Sequence, residues 1–191
     1  MFYEPKTGHG LPHSPLLAIV APRPIGWIST RGSHGDNLAP YSFFNMVAYD
    51  PPQIIFACDR KDTLRNIEET QVFATNMVPE PLWHQMNETS ARLPQGTDEF
   101  VHAGVLKSDC QTIPCPRVTQ SPATLECRLH QIIPLASGSD FLIIGTVTGV
   151  HIRDEYLTNG RLDLTKARPM ARLGYKDYAV ITDLIPLDRP A

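Results

Sequence analysis

The chain has 191 residues, of which 42% are hydrophobic and 19% charged, so it is long enough to bury a core of its own. Its net charge of -3 comes with scattered Lys and Arg residues, which excludes a nucleic-acid partner. The apolar run at residues 16–21 is too short to span a bilayer, and the residues before it are too polar and proline-rich for a signal peptide. We therefore expect one cytoplasmic domain over residues 1–191, its core at about 14–186, without a membrane partner.

The four cysteines show no CxxC spacing, so we expect free thiols. The 18 prolines predict short, interrupted elements. Residues 16–20 and 25–30 are compact and apolar, which indicates two strands joined by the corner at Pro22-Arg23-Pro24. A turn cluster at residues 31–36 then predicts a hairpin with residues 37–44.

Residues 53–58 read as a strand buried on both faces, followed by a short helix that has Asp62 as its N-cap. Another strand is predicted at residues 72–78 and a proline-initiated helix at 81–89. Residues 92–118 show no sustained period, which is typical of a functional or interface loop.

The clearest alternation lies at residues 123–130, where Leu125 and Cys127 are expected on the buried face and Glu126 and His130 on the wet face. Along residues 141–152 the apolar parity switches at Gly149, which predicts a β-bulge. This succession of strands with few short helices indicates a mainly β fold, a closed and mostly antiparallel barrel.

One candidate anion site lies where the strand at 53–58 meets the helix that follows. The backbone N–H groups of a helix N-terminus attract anions, and Arg60, Lys61 and the Thr63 hydroxyl add charge and donors. A capped helix with two solvated cations explains the same residues equally well. The glycine-rich loops of dinucleotide and P-loop motifs are absent.

A second candidate segment, residues 37–45, combines small, hydroxyl and aromatic residues around Pro40, so its backbone could bond the polar rim of a flat heterocycle. An ordinary edge strand is the simpler interpretation. His9 and His13 are expected in a loop rather than at a metal, since Gly10 and Pro12 break any helix that would align them. No GxSxG motif supports a hydrolase.

Taken together, three blocks between about residues 22 and 178 resemble the flavin reductase-like family of FMN-binding split β-barrels, in particular its flavoredoxin and flavoprotein-oxygenase branch. The first block is residues 23–30, RPIGWIST. The second runs from residue 37 through Pro51-Pro52 to residue 67, and the third is Arg172-Leu173-Gly174-Tyr175 with Tyr178. Their order and spacing, rather than any single block, carry the resemblance.

The resemblance implies a homodimer with one FMN in each interface cleft. It places Ser29 and Thr30 beside the isoalloxazine ring, residues 41–44 along its edge, and Ala57 and Cys58 on the ribityl chain. The phosphate would be held by Lys61, Asp62 and Thr63, with Arg60 a weaker candidate. The cofactor residues expected from the family are thus Ser29, Thr30, Tyr41, Ser42, Phe43, Phe44, Ala57, Cys58, Arg60, Lys61, Asp62 and Thr63.

No protein nucleophile is expected, since the flavin would carry the chemistry. Arg172, Tyr175 and His151 are candidates for the substrate side, although a surface ion pair or a packed aromatic explains them as well. Dedicated NAD(P)H:flavin reductases of the family carry Gly-Asp-His before the late strand. This chain has Gly138-Ser139-Asp140, so we expect Asp140 to slow reduction by NAD(P)H.

The function expected from the sequence is an FMN-dependent oxidoreductase. It would transfer hydride or electrons between NAD(P)H or a redox partner and either flavin or a small organic substrate. The alternatives are a non-catalytic FMN electron carrier and a flavin-free barrel that serves as an interaction module.

Overall fold

The computed structural model describes residues 1–190 and is built on one seven-stranded antiparallel sheet. The chain contains the strands β1 Arg23–Pro24, β2 Gly26–Gly32, β3 Gly35–Tyr41, β4 Phe44–Tyr49, β5 Pro52–Asp59, β6 Val72–Met77, β7 Lys107–Asp109, β8 Pro116–Val118, β9 Ala123–Pro134, β10 Asp140–Ile152, β11 Leu157–Thr158, β12 Arg161–Leu162, β13 Met170–Arg172 and β14 Tyr178–Val180. The order in the large sheet is β3-β2-β6-β9-β10-β5-β4. The mainly β, antiparallel fold expected from the sequence is confirmed.

Three small sheets flank the large one. One has the order β1-β13-β14, and the pairs β7-β8 and β11-β12 form the other two. Strand β2 is buried on both faces, because Trp27 packs into one core cluster and its neighbour Ile28 into a second. The second cluster lies between the sheet and the helix after β5, and it includes Phe56, Ile67 and Phe73.

Helices are short and lie between strands. They are α1 Leu16–Ile19, α2 Asp62–Thr70, α3 Trp83–Glu88, α4 Glu99–His102 and α5 Leu164–Ala167, with 3-10 turns at Glu80–Leu82 and Asp154–Tyr156. The helices predicted after Asp62 and near residues 81–89 are confirmed. Within residues 1–190 no helix has the length and apolar character needed to cross a membrane.

The strand predicted at residues 16–20 is wrong, because this segment forms helix α1. The amides of Ala18 and Ile19 both donate to the carbonyl of Pro15, at 2.9 and 3.0 Å. The Nη1 atom of Arg23 then donates hydrogen bonds to the carbonyl oxygens of Leu17 and Val20. These carbonyls accept hydrogen bonds from one guanidinium group and not from a neighbouring strand, which favours a helical turn.

The burial predicted for two strands also needs correction. In β5 only the alternate residues Ile54, Phe56 and Cys58 are buried, because one face of the antiparallel sheet meets the core. In β9, by contrast, Thr124 and Glu126 of the expected wet face are buried. The hairpin of β7 and β8 covers that face. The burial of Thr124 and Glu126 therefore depends on a segment that does not belong to β9.

The β-bulge predicted at Gly149 is confirmed by a register shift between Val147 and Gly149 in the pairing of β10 with β9. A second shift lies between Ile144 and Gly145. The bulges bend the long β9–β10 hairpin, which increases the twist of the sheet. This hairpin holds β5 beside it, and β5 carries the polypeptide into α2.

Candidate functional site

A cleft of about 510 Å³ lies where β3, the β5–α2 junction and residues 89–93 meet. Strand β3 contributes Asn37 and Tyr41, and the junction contributes Asp59, Lys61 and Thr63. The volume is in the range of small-ligand sites, roughly 300–1,000 Å³. Two segments of the resemblance, residues 37–45 and 58–63, therefore meet at one cavity.

A buried hydrogen-bond network fixes the floor of the cleft around Thr63. Asn37 Nδ2 and Tyr41 Oη both donate to the Thr63 Oγ1 atom, each at 2.9 Å. A hydroxyl has two acceptor positions and one hydrogen, so these two bonds leave the Thr63 hydrogen for a further acceptor. Burial raises the pKa of Tyr41, so its phenol stays protonated near neutral pH.

Helix α2 begins at the cleft without a side-chain cap. Lys61 occupies the N-cap position and makes no capping hydrogen bond. Asp62, which was predicted as the cap, lies one position later, and its Oδ2 atom accepts from the Gly96 amide at 3.0 Å. The prediction is wrong because the carboxylate is held by the loop near residue 96. The first-turn N–H groups of α2 therefore remain available to an anion.

The two cations before α2 lie in different places. Lys61 lines the cleft, and its Nζ atom is 2.6 Å from Asp59 Oδ2. Arg60 contacts Glu68 at 2.8 Å instead and lies 4.9 Å from the centroid of the Phe141 ring. Arg60 is absent from the cleft wall, so Lys61 is the stronger candidate for an anion.

Ser29 and Thr30 are not part of the cleft wall, since both are fully buried in β2. Ser29 Oγ donates to the Pro116 carbonyl at 2.6 Å, and Thr30 Oγ1 accepts from Asn66 Nδ2 at 3.1 Å. Their hydroxyls thus join β2 to β8 and to α2. The resemblance implied ligand contact for both residues, but their small side chains also suit the crowded interior of the sheet.

The remaining expected cofactor residues are absent from the cleft wall. Ser42 and Phe43 line an adjoining cavity, and Phe44 lines an apolar pocket elsewhere. Ala57 donates its amide to the Phe43 carbonyl at 2.9 Å, which fixes that turn. Burial raises the pKa of the Cys58 thiol to about 12, so this cysteine is a packing residue and not a nucleophile.

The substrate-side candidates are separated in the structure. Arg172 lines the adjoining cavity, and its Nη2 atom donates to the Tyr175 carbonyl at 2.6 Å, while the Tyr175 side chain is exposed. His151 is bound to the buried carboxylate of Glu126 and lines neither cavity. Asp140 is the register partner of Asp59, which places a second carboxylate beside the end of the cleft.

The sequence predicted a functional or interface loop at residues 92–118 but did not single out Glu99 or residues 89–93 as site residues. Glu99 lines the cleft, is only 8% exposed, and accepts from the Leu38 amide at 3.0 Å through Oε2. Burial raises the pKa of this carboxyl. Asp98 caps α4, and the packing of this short helix against β3 brings Glu99 to the cleft. No cluster of three or more metal-ligating side chains occurs in the described part of the chain.

Comparison with known proteins identifies the family. Residues 20–174 match the family described as flavin reductase like domain. Nitrilotriacetate monooxygenase component B from Bacillus cereus superposes with a TM-score of 0.86 at 31% identity, over 90% of each chain. The 2-nitrobenzoate 2-nitroreductase of Pseudomonas fluorescens gives 0.85 at 32% identity, over 92% of this chain and 88% of that one.

A relative from Aquifex aeolicus, itself uncharacterised, is 33% identical over 171 residues, which cover 85% of this chain and 86% of the relative. The match to the family spans most of the chain, and the solved structures share both its fold and nearly a third of its sequence. The resemblance drawn from the three blocks is confirmed. The chain belongs to the flavin reductase-like family of split β-barrels.

Proposed function

We propose that this protein is an FMN-dependent oxidoreductase that binds the flavin in the cleft at the β5–α2 junction. The observation that supports this most is the uncapped N-terminus of α2, which opens on a cavity of about 510 Å³. An unsatisfied helix N-terminus binds phosphate well, because its N–H groups and its dipole both favour an anion. FMN ends in a phosphate, so the cleft fits the family's flavin.

The residues of the cleft have distinct roles in this proposal. Lys61 and the first-turn amides of α2 would bind the phosphate, and the free hydrogen of Thr63 would add one donor. Asn37 and Tyr41 orient Thr63 through the two bonds to its oxygen. Glu99, whose carboxyl pKa is raised by burial, would offer a hydrogen-bonding group to a polar part of the ligand.

Bound FMN would supply the redox chemistry, accepting and passing on hydride or electrons. The protein would bind, orient and shield it, with NAD(P)H or a redox partner as electron donor. A small organic substrate is favoured over a pure electron-carrier role because a second cavity adjoins the cleft, sharing Pro40 and Ser90 with it. The relative at 32% identity is a nitroreductase, which also favours an enzyme.

The proposal includes a homodimer of cytoplasmic chains. Strand β4 is an edge of the large sheet, and its exposed residues include Met46, Val47 and Tyr49. An exposed apolar edge strand is an open pairing surface that folded proteins usually cover. A second copy of the chain is the partner that the family resemblance implies.

FMN titration followed by flavin fluorescence tests the phosphate assignment. We expect Lys61→Ala to weaken FMN binding about tenfold, since a hydrogen bond to a charged group contributes roughly 1.5–3 kcal/mol. Arg60→Ala is the matched control, because Arg60 lies outside the cleft wall and contacts Glu68, so its loss should leave the affinity within about twofold. Equal losses in the two variants would refute a phosphate site at Lys61.

A further inference from the structure

The cavity that adjoins the cleft has a volume of about 430 Å³ and is lined by Arg23, Phe43 and Arg172. It meets the cleft at Pro40 and Ser90, which line both. The proposed function gives this second cavity to a small organic substrate, whose chemical class is still to be named. Its wall carries two guanidinium groups, so its charge is the first feature to explain.

The two arginines are placed directly opposite each other. Arg23 of β1 is the register partner of Arg172 of β13. Side chains of directly opposed residues lie on the same face of an antiparallel pair, where like charges are destabilising. Among residues 1–190 neither guanidinium has a carboxylate within 4.0 Å. An arrangement that opposes stability in this way is typical of a functional site.

Arg23 is a buried cation without a counter-ion. It is only 7% exposed, and its Nη2 atom donates to the Leu173 carbonyl at 2.9 Å. The Leu17 and Val20 carbonyls accept from Nη1, while Nε has no partner. Carbonyl groups satisfy N–H donors but carry no net charge, so the positive charge stays uncompensated. An anion in the cavity would compensate it.

Arg172 is oriented so that it can bind such an anion directly. Its Nη2 atom donates to the Tyr175 carbonyl, and its Cζ atom lies 4.4 Å from the centroid of the Tyr178 ring. These contacts fix the planar fork of the guanidinium and use one of its five donors. The remaining donors match a carboxylate, which an arginine binds with two parallel hydrogen bonds.

Apart from the two arginines, the cavity wall combines apolar residues with the polar Ser42, Asn87 and Ser90. Leu17, Ile25, Met86 and the rings of Phe43 and Tyr178 contribute to it. The two aromatic rings favour a flat aromatic body beside them, and the cavity has room for a ligand of one ring. We infer that this cavity binds a small aromatic carboxylate, with its acid group at Arg172 and its ring beside Phe43. This inference rests on the proposed function, since the adjoining cleft would hold the flavin that reacts with the bound acid.

Calorimetric titration with sodium benzoate tests the inference, and benzyl alcohol serves as the neutral ligand of similar shape. We expect benzoate to bind the unmodified protein at least about tenfold more tightly than benzyl alcohol. Arg172→Gln should weaken benzoate by about tenfold or more, as expected for a charge-assisted pair. Arg161→Gln removes the same charge from exposed β12 outside both cavities and should leave binding unchanged.

A second variant covers the case in which Arg172→Gln fails to fold. Asn87 is an exposed residue of the cavity wall, and Asn87→Asp adds a negative charge there, so it should also weaken benzoate several-fold. The carboxylate site is refuted if benzoate and benzyl alcohol bind alike, or if neither variant changes benzoate affinity. ADP-ribose that competes with benzoate and binds more tightly would instead assign the cavity to a dinucleotide.

FMN titrations on the same samples separate this inference from the proposed function. Benzoate binding that depends on Arg172 in a protein that binds no FMN would support the carboxylate site and refute the flavin role. FMN binding without any benzoate binding would support the flavin role and refute the carboxylate site.

Discussion

At the scale of single residues, Glu126 shows how strongly one buried carboxylate can organise a loop. It is fully buried on β9 and accepts hydrogen bonds from the amides of Gln111 and Thr112 at 2.6 and 2.7 Å. His151 Nε2 contacts the same Oε1 atom that accepts from Gln111. Burial alone would raise the pKa of this carboxyl, but the hydrogen bonds from Thr112, Gln111 and His151 outweigh it and lower the pKa to about 2.

Replacing Glu126 by Gln should destabilise the protein at neutral pH and reduce its sensitivity to acid. A carboxyl with a lowered pKa adds stability that is complete above its unfolded pKa, about 4.3, and is lost as the pH falls through its folded pKa. We expect Glu126→Gln to lower the free energy of unfolding by about 3 kcal/mol at pH 7. The hydrogen-bond donors around position 126 would then face a neutral amide instead of a carboxylate.

Urea unfolding between pH 7 and pH 2 measures both effects. The free energy of unfolding of the unmodified protein should fall more steeply below about pH 4.3 than that of Glu126→Gln. Parallel pH curves for the two proteins would show that Glu126 is not the group responsible.

Some of the site residues could be predicted from the sequence, and others could not. Lys61 and Thr63 were predictable, because a helix start is visible as a local pattern and its N–H groups have a known affinity for anions. Ser29 and Thr30 were expected beside the ligand but lie inside the sheet, bonded to Pro116 and Asn66. Glu99 was missed because its place depends on a contact with Leu38, 61 positions away in the chain.

At the scale of elements, the long hairpin of β9 and β10 depends on the close approach of Gly145 to the Phe73 ring. Gly145 is buried where the register of β10 shifts, and a Cβ atom there would lie 2.8 Å from Cε1 of the Phe73 ring. Phe73 is fully buried and packs edge-on against Phe56, with ring centroids 5.4 Å apart. A side chain at position 145 would therefore have no room unless β6 or its aromatic ring moved.

Gly145→Ala should lower the free energy of unfolding by about 1–3 kcal/mol, the usual cost of overpacking a core. The same change in a Phe73→Leu background should cost less, because the shorter side chain opens space at that point. A double-mutant cycle measured by urea unfolding gives the coupling. An identical cost in both backgrounds would mean that Phe73 is not the obstacle.

The elements were predictable to different degrees. The alternation in β9, the bulge at Gly149 and the helix after Lys61 follow from local residue patterns. Helix α1 was mistaken for a strand because an apolar run this short fits either structure, and the carbonyl contacts of Arg23 decide it. The wet face assigned to β9 was wrong because burial there comes from the distant β7–β8 hairpin.

At the scale of the whole molecule, the edge strand β4 carries the expectation of a homodimer. Light scattering at micromolar concentration should give twice the chain mass of 21.3 kDa. Met46→Asp places a charge on this half-exposed edge and should shift the protein to the monomer. Val101→Asp, on the exposed face of α4, is the control and should remain dimeric. A monomer that binds FMN as tightly as the dimer would exclude a shared cleft.

The phosphate of the flavin is the group that the cleft is proposed to recognise, and one comparison isolates it. Riboflavin has the ring and ribityl chain of FMN but no phosphate, so any difference in affinity reports the α2 N-terminus and its neighbours. Fluorescence titration of the unmodified protein should show FMN binding at least about a hundredfold more tightly than riboflavin, as two or more charge-assisted hydrogen bonds would give. Equal affinities, or no binding of FMN at micromolar concentration, would contradict a flavin site at the start of α2.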